Sequence, residues 1–289
     1  MLRGIAEFAM SGRRQAVTVA VLFALVPMLN LLSGAVVALV TLRKGWQEGF
    51  LVMLWALLPA LLQWYVGDAS PVFMLVAALL SAHVLRSSQS WQAVLVLLLL
   101  LGLGTQLSLP LQPRYVAQVT QVIERMLNEG QSLQLADVEA LQTAGVDEVV
   151  ALLLHFYGAY HMTLFVACLA LGRYWQASLY NPGGFRQEFH SLRLDPRLGG
   201  LLLALVAAGE AGMQPLSAVM PLLCVAPMVN GLALCHHVVV QRKMGTSWLG
   251  LAYLLVLLVV PAIVALGFVD SFANLRKRLA TAPPDDPQA

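Results

Sequence analysis

The chain has 289 residues, of which 59% are hydrophobic and only 11% charged. Soluble domains carry about 25% charged residues, so the composition argues against a water-soluble fold. A formal net charge of +2, with its basic residues scattered between apolar stretches, lacks the concentrated patch of a nucleic-acid binder.

Apolar stretches follow one another at 15–42, 46–65, 70–86, 91–109, 148–172, 198–213, 215–240 and 247–270. Most approach the ~20 residues that a membrane-crossing helix requires. Backbone polar groups cannot stay open in lipid, and continuous apolar runs close them as helices rather than as alternating barrel strands. The expectation is an all-α, polytopic transmembrane bundle over residues 1–279, with eight spans or nine.

Arg3, Arg13 and Arg14 precede the first stretch in the manner of a signal peptide, but no small-x-small cleavage site follows, so the stretch reads as a retained helix. Within it Ala16, Ala20 and Ala24 recur every four residues and leave a smooth strip for close helix approach, either to a partner or within the same bundle. The basic residues between the middle stretches are Arg43 and Lys44, Arg86, the set Arg173, Arg186, Arg193 and Arg197, and then Arg242 and Lys243. All fall on one face if the middle stretches alternate, and that face is expected to be cytoplasmic. A single first span would put the Arg-rich amino terminus on the wrong side, whereas a break at Pro27 to Asn30 would return it. Arg276, Lys277 and Arg278 pose the same conflict at the other end.

The insertion 110–147 then faces the exterior. Tyr115 to Leu127 and Ala136 to Thr143 show helical spacing, the second stopped by Gly145, and Asp147 and Glu148 suit the first turn of the next helix. The loop 173–197 contains Asn181-Pro182-Gly183-Gly184, which forces a turn, with Arg, Trp and Tyr flanks suited to an interface or a docking surface. The tail 280–289 is polar and Pro-rich and is expected to be disordered.

Ionisable and amide residues inside the apolar stretches are costly in lipid and are functional candidates by default. Glu210 lies between Gly209 and Gly212 and ahead of Pro215, where a locally weak helix could expose backbone to a cavity, or where the stretch simply ends. His155 and His161 are about 240° apart on a helix and share no face. Tyr157 and His161, four apart, do share one, and could line a polar cavity or belong to an aromatic belt. Asn230 is deep enough to bond across to another helix, while His83, His236 and His237 lie near helix ends. Cys168, Cys224 and Cys235 lack metal or disulfide spacing and read as packing residues. The chain has no nucleophile elbow, phosphate-binding glycine loop or zinc-binding H-E-x-x-H, so neither an enzyme nor a cofactor or metal is expected.

Four stretches, PMLNLLSGAVVALVTLRKG at 27–45, FRQEFHSLRLDPRLG at 185–199, NGLALCHHVVVQRKMG at 230–245 and GFVDSFANLRKRL at 267–279, together resemble the YybS-like family of bacterial membrane proteins. That family is of unknown function. It is in turn similar to the substrate-binding S components of energy-coupling-factor transporters, whose first-helix alanines meet a membrane coupling subunit. The resemblance implies a bacterial inner-membrane protein that binds or moves a small molecule. Buried polarity makes Glu210, Tyr157, His161 and Asn230 the residues expected around a midplane cavity, and no recognisable vitamin-binding motif accompanies them. Ala16, Ala20 and Ala24 would be the contact with a coupling subunit or another membrane protein. The alternative is a scaffold that works through the loop 173–197 and the alanine strip. The chain departs from typical S components in its greater length, its extra apolar stretches and its insertion at 110–147.

Overall fold

A computed structural model describes residues 2–132, 145–245 and 247–281, and every regular element among them is helical. The expected short helix at Ala136 to Thr143 and the tail beyond Thr281 lie outside the described residues.

The fold begins with a short amphipathic helix α1 (Leu2–Met10), which buries Ala6 and Ala9 and leaves Arg3 and Glu7 exposed. Next comes a hairpin of α2 (Arg13–Leu25) and α3 (Asn30–Lys44), joined through a 3-10 turn at Pro27–Leu29. α4 (Trp46–Val66) fixes the direction of that hairpin. At its start Glu48 Oε2 accepts from Arg13 Nε at 2.9 Å, and near its end Gln63 Nε2 donates to Ala24 O at 2.6 Å. Asn30 Nδ2 meets Gln63 Oε1 at 3.2 Å, so α3 sets out from the same end that α2 reaches. The break at 27–30 therefore returns the amino terminus to the face of Arg43 and Lys44. Pro27 has no amide hydrogen to continue the helix, and Asn30 Nδ2 occupies Pro27 O at 2.8 Å.

α3 is the buried axis of the bundle. Val36, Val37, Ala38 and Leu39 are fully enclosed by α2, α4, α5 (Ser70–Ser88) and the later long helix Tyr157–Tyr180, which is α9. Gly172 on α9 (Tyr157–Tyr180) lets the two helices meet, because a Cβ there would stand 2.9 Å from Ala35 O. α4 presents Leu54, Trp55, Leu58, Leu61 and Leu62 outward, as a lipid-facing helix does.

Beyond α6 (Trp91–Ser108), the amphipathic α7 (Pro113–Ser132) lies against the far end of α4, where Arg114 Nη1 donates to Tyr65 O at 2.9 Å and Gln118 Nε2 to Val66 O at 3.1 Å. α8 (Val146–His155) precedes α9 with a bend of 42°. α9 runs on to Tyr180, well past the expected end at 172. The loop expected at 173–197 is largely helical, with the end of α9 followed by α10 (Gly184–Ser191). α11 (Pro196–Glu210) and α12 (Leu216–Gln241) then form a second hairpin, followed by α13 (Ser247–Leu258), α14 (Val260–Ala273) and α15 (Leu275–Thr281).

Five helices among the described residues are long and apolar enough to cross a membrane, and the bent α8–α9 pair makes six. This corrects the expected eight or nine. α2, with 13 residues, and α11, with 15, fall short of the ~20 residues of a full crossing at 1.5 Å per residue, although each runs from the Arg-rich end of the bundle to its other end. The stretch 247–270 is not one span either. It breaks at Val259 into α13 and α14, where Pro261 removes an amide donor. Tyr253 on α13 bonds His236 near the end of α12, while the far end of α14 receives Arg193 from the α10–α11 connection. Both outer ends of the pair thus meet the face where α12 ends and α11 begins. This accounts for the basic residues at 276–278, which join the Arg-rich face.

Candidate ligand groove at the Arg-rich face

The four residues expected around one cavity separate into three places. Glu210 is exposed at the last residue of α11, on the face opposite the arginines, because the chain leaves the helix at Gly209–Gly212 and lets the carboxylate reach outward. Tyr157 and His161 are buried on α9, with ring centres 4.2 Å apart. His161 Nδ1 faces Tyr157 O at 2.9 Å, its Nε2 has no hydrogen-bond partner, and Phe73, Tyr160 and Phe165 surround the ring. Tyr115 of α7 covers Tyr157, and burial pushes its phenol up to about 12.

Asn230 belongs to another cluster. Its Nδ2 donates to Gly267 O at 2.7 Å and reaches Ser271 Oγ at 3.3 Å. Around it gather residues that the sequence reading did not single out as functional. Asp270 is fully buried with Oδ2 3.5 Å from Arg276 Nη2, Arg276 also donates to Leu192 O, and Arg193 Nη2 donates to Ser271 O at 2.7 Å. Arg193 holds the carboxyl end of α14 by the open carbonyls of Asp270 and Ser271, where the helix dipole favours cations, and Arg276 pairs there with the Asp270 carboxylate. Asn230 therefore ties helices together instead of lining a cavity with His161.

The alanine strip is also placed differently from one of its two readings. Ala16, Ala20 and Ala24 are at most 1% exposed, and Ala20 O accepts from Ser33 Oγ of α3 at 2.8 Å. The strip is spent inside the chain, on the approach of α2 to α3 and α4, and offers no open face to a coupling subunit.

The structure opens instead a cavity of about 590 Å³ at the Arg-rich face, between the end of α9, α10, the end of α12 and α13. Ala170, Tyr174, Ala177 and Ser178 form one helical stripe of its wall. The chain reverses at Pro182 and Gly183, where φ of +88° suits glycine, and α10 then turns Phe185, Arg186, Phe189 and His190 to the groove. A salt bridge fixes α10 in place. Arg173, only 9% exposed, holds Glu188 through Nε at 3.0 Å and through Nη2, and Trp91 Nε1 adds a bond at 3.4 Å.

His236 and Tyr253 close the far wall, joined at 2.9 Å, with the Phe189 ring 5.2 Å from that of His236. The wall is apolar and aromatic, and among the described residues its charged members are Arg3 and Arg186 and no carboxylate lines it. His190 is held neutral, near pKa 4, first by burial and then by Arg186, His236, His237 and Arg276. Among the described residues no group of three or more His, Cys, Asp or Glu side chains is placed to hold a metal ion. The spacing Phe185, Phe189, His190 was the signal for this groove. The turn at Asn181–Gly184 and the surrounding polar residues concealed it, because they read as loop.

Comparison with models of protein families, with curated proteins and with solved structures finds no match.

Proposed function

We propose that this membrane protein binds a small amphipathic molecule in the groove at its Arg-rich face, which is the cytoplasmic face of a bacterial inner membrane. The observation that carries the reading is the groove itself. It is large enough for a small ligand, walled by Tyr174, Phe185, Phe189 and Tyr253, and edged by basic groups without an acid among the described residues. The orientation rests on the arginine distribution. The role is binding rather than catalysis.

Transport of that molecule, as the YybS-like and S-component resemblance implies, is the second reading. It draws support from the broken pair α13–α14 lying against α12, which carries Pro221 and Pro227, since discontinuous helices around buried polar groups are common in transporters. A scaffold role through residues 173–197 keeps only one of its two surfaces, because the alanine strip is internal.

The test is native mass spectrometry of the full chain released from mild detergent. The groove reading expects a bound small molecule or lipid of one defined mass, lost when Ser178→Trp fills the groove while the unfolding temperature is kept. Retention of the same mass in a folded Ser178→Trp protein would place the ligand elsewhere. A stoichiometric partner protein without a ligand would favour the scaffold.

A further inference from the structure

A second cavity, of about 490 Å³, adjoins the groove, and His190 lines both. Its wall also includes Gln187, Ser191, His237, Gln241 and Arg276, again without a carboxylate among the described residues. Two of these residues carry unanswered polar atoms. His237 Nε2 and Arg276 Nε are buried and have no hydrogen-bond partner, and the Arg276 side chain is 8% exposed. A buried polar atom left without a partner is costly, so it marks a place where a partner belongs.

The charges around the two cavities are unevenly answered. Arg3 has Glu7, and Arg276 has Asp270 at 3.5 Å, while no carboxylate pairs with Arg186 among the described residues. Arg186 and His190 stand on α10, His236 and His237 on α12, and Arg276 on α15; Arg186 and His236 border the first cavity, His237 and Arg276 the second, and all four act electrostatically on His190 between them. A planar carboxylate offers two oxygens. A phosphate offers at least three in a tetrahedral array and can accept from several directions at once. The apolar and aromatic wall continues from this region along Phe185, Phe189 and Tyr253.

Resting on the groove reading above, we propose that the ligand is a phosphate-bearing amphiphile. Its phosphate lies by His190, His237, Arg276 and Arg186, and its alkyl part lies along Phe185 and Phe189. The same phosphate chemistry could come from a lipid headgroup or from a free phosphate, and the two differ in whether the aromatic wall contributes.

The experiment measures binding of three probes to the full chain in a non-ionic detergent: dodecyl phosphate, dodecanol of the same chain length, and inorganic phosphate. Dodecyl phosphate is expected to bind at least tenfold more tightly than either of the others. Arg186→Gln and His237→Gln are each expected to weaken dodecyl phosphate about tenfold, the effect of one lost charge-assisted bond, and to leave dodecanol unchanged. Arg186 is exposed, so its variant keeps the fold testable. Phe189→Ala is expected to weaken both alkyl probes alike. Equal binding of dodecyl phosphate and dodecanol would overturn the phosphate while keeping the groove. Binding of neither would overturn both. Inorganic phosphate as tight as dodecyl phosphate would keep the phosphate site, assign it to a free phosphate and remove the alkyl part.

Discussion

His190 stands where the two cavities meet, and its surroundings make it a reporter of their electrostatics. Burial, with Arg186 on its own helix, His236 and His237 on α12 and Arg276 on α15, lowers its pKa from 6.5 to about 4. The folded state therefore binds fewer protons here than the unfolded state, and stability rises with pH through this group. Its contribution is complete above pH 6.5 and is lost as the pH falls through about 4. His190→Gln is accordingly expected to reduce the fall in unfolding temperature between pH 7 and pH 4.5, measured in detergent. An unchanged slope would mean that His190 is not the group protonated on acidification.

Single residues were the least legible part of the sequence. Asn230 reads in the sequence both as a cross-helix bond and as a cavity residue, and it is the bond, whereas Asp270 is the last residue of the stretch 247–270 and its partner Arg276 lies beyond that stretch, where spacing does not pair them. Glu210 drew attention as an acid in an apolar stretch, but the glycines around it let the helix end there. A one-dimensional pattern shows that a polar residue is flanked by apolar ones, and it does not show which of them the chain can turn outward.

Among elements, the closest approach is that of α12 to α14. A Cβ on Gly267 would collide with Pro227 O, and one on Gly231 with Ile263 O, both backbone atoms that cannot rotate away. Gly267→Ala is expected to cost about 1–3 kcal/mol through overpacking, read as a lower unfolding temperature. Gly104→Ala is the control, since nothing lies within 4 Å of its Cβ and a helix-interior alanine should gain about 0.5–1 kcal/mol. Equal effects at the two positions would contradict the tight α12–α14 contact.

Breaks between elements were legible where a proline met a polar residue. Pro27 with Asn30 announced the α2–α3 hairpin, and the structure supplies the reason in the bonds of Asn30 and Gln63. The break at Val259 was hidden, because Val259, Val260 and Pro261 sit in an unbroken apolar run whose hydropathy carries across the turn. α10 was hidden for the opposite reason, as a polar sequence with only Phe185 and Phe189 to mark its buried side.

At the scale of the molecule, hydropathy identified a helical membrane protein but overcounted its spans, since apolar length does not show where a helix stops short or breaks. Two hairpins, α2–α3 and α13–α14, return both ends of the described chain to one face. That arrangement gathers the basic residues on the face where the groove opens, and the proposed function depends on it.

The most direct test is cysteine labelling in sealed membrane vesicles that hold the protein, with an impermeant maleimide, in a background with Cys168, Cys224 and Cys235 replaced by serine. Single cysteines in place of Arg13, Arg186 and Arg278 are expected to react from one side, and those in place of Arg114 and Glu210 only from the other. Labelling of the Arg13→Cys and Arg186→Cys proteins from opposite sides would contradict the hairpin fold at the amino terminus, and with it the gathering of basic residues around the groove.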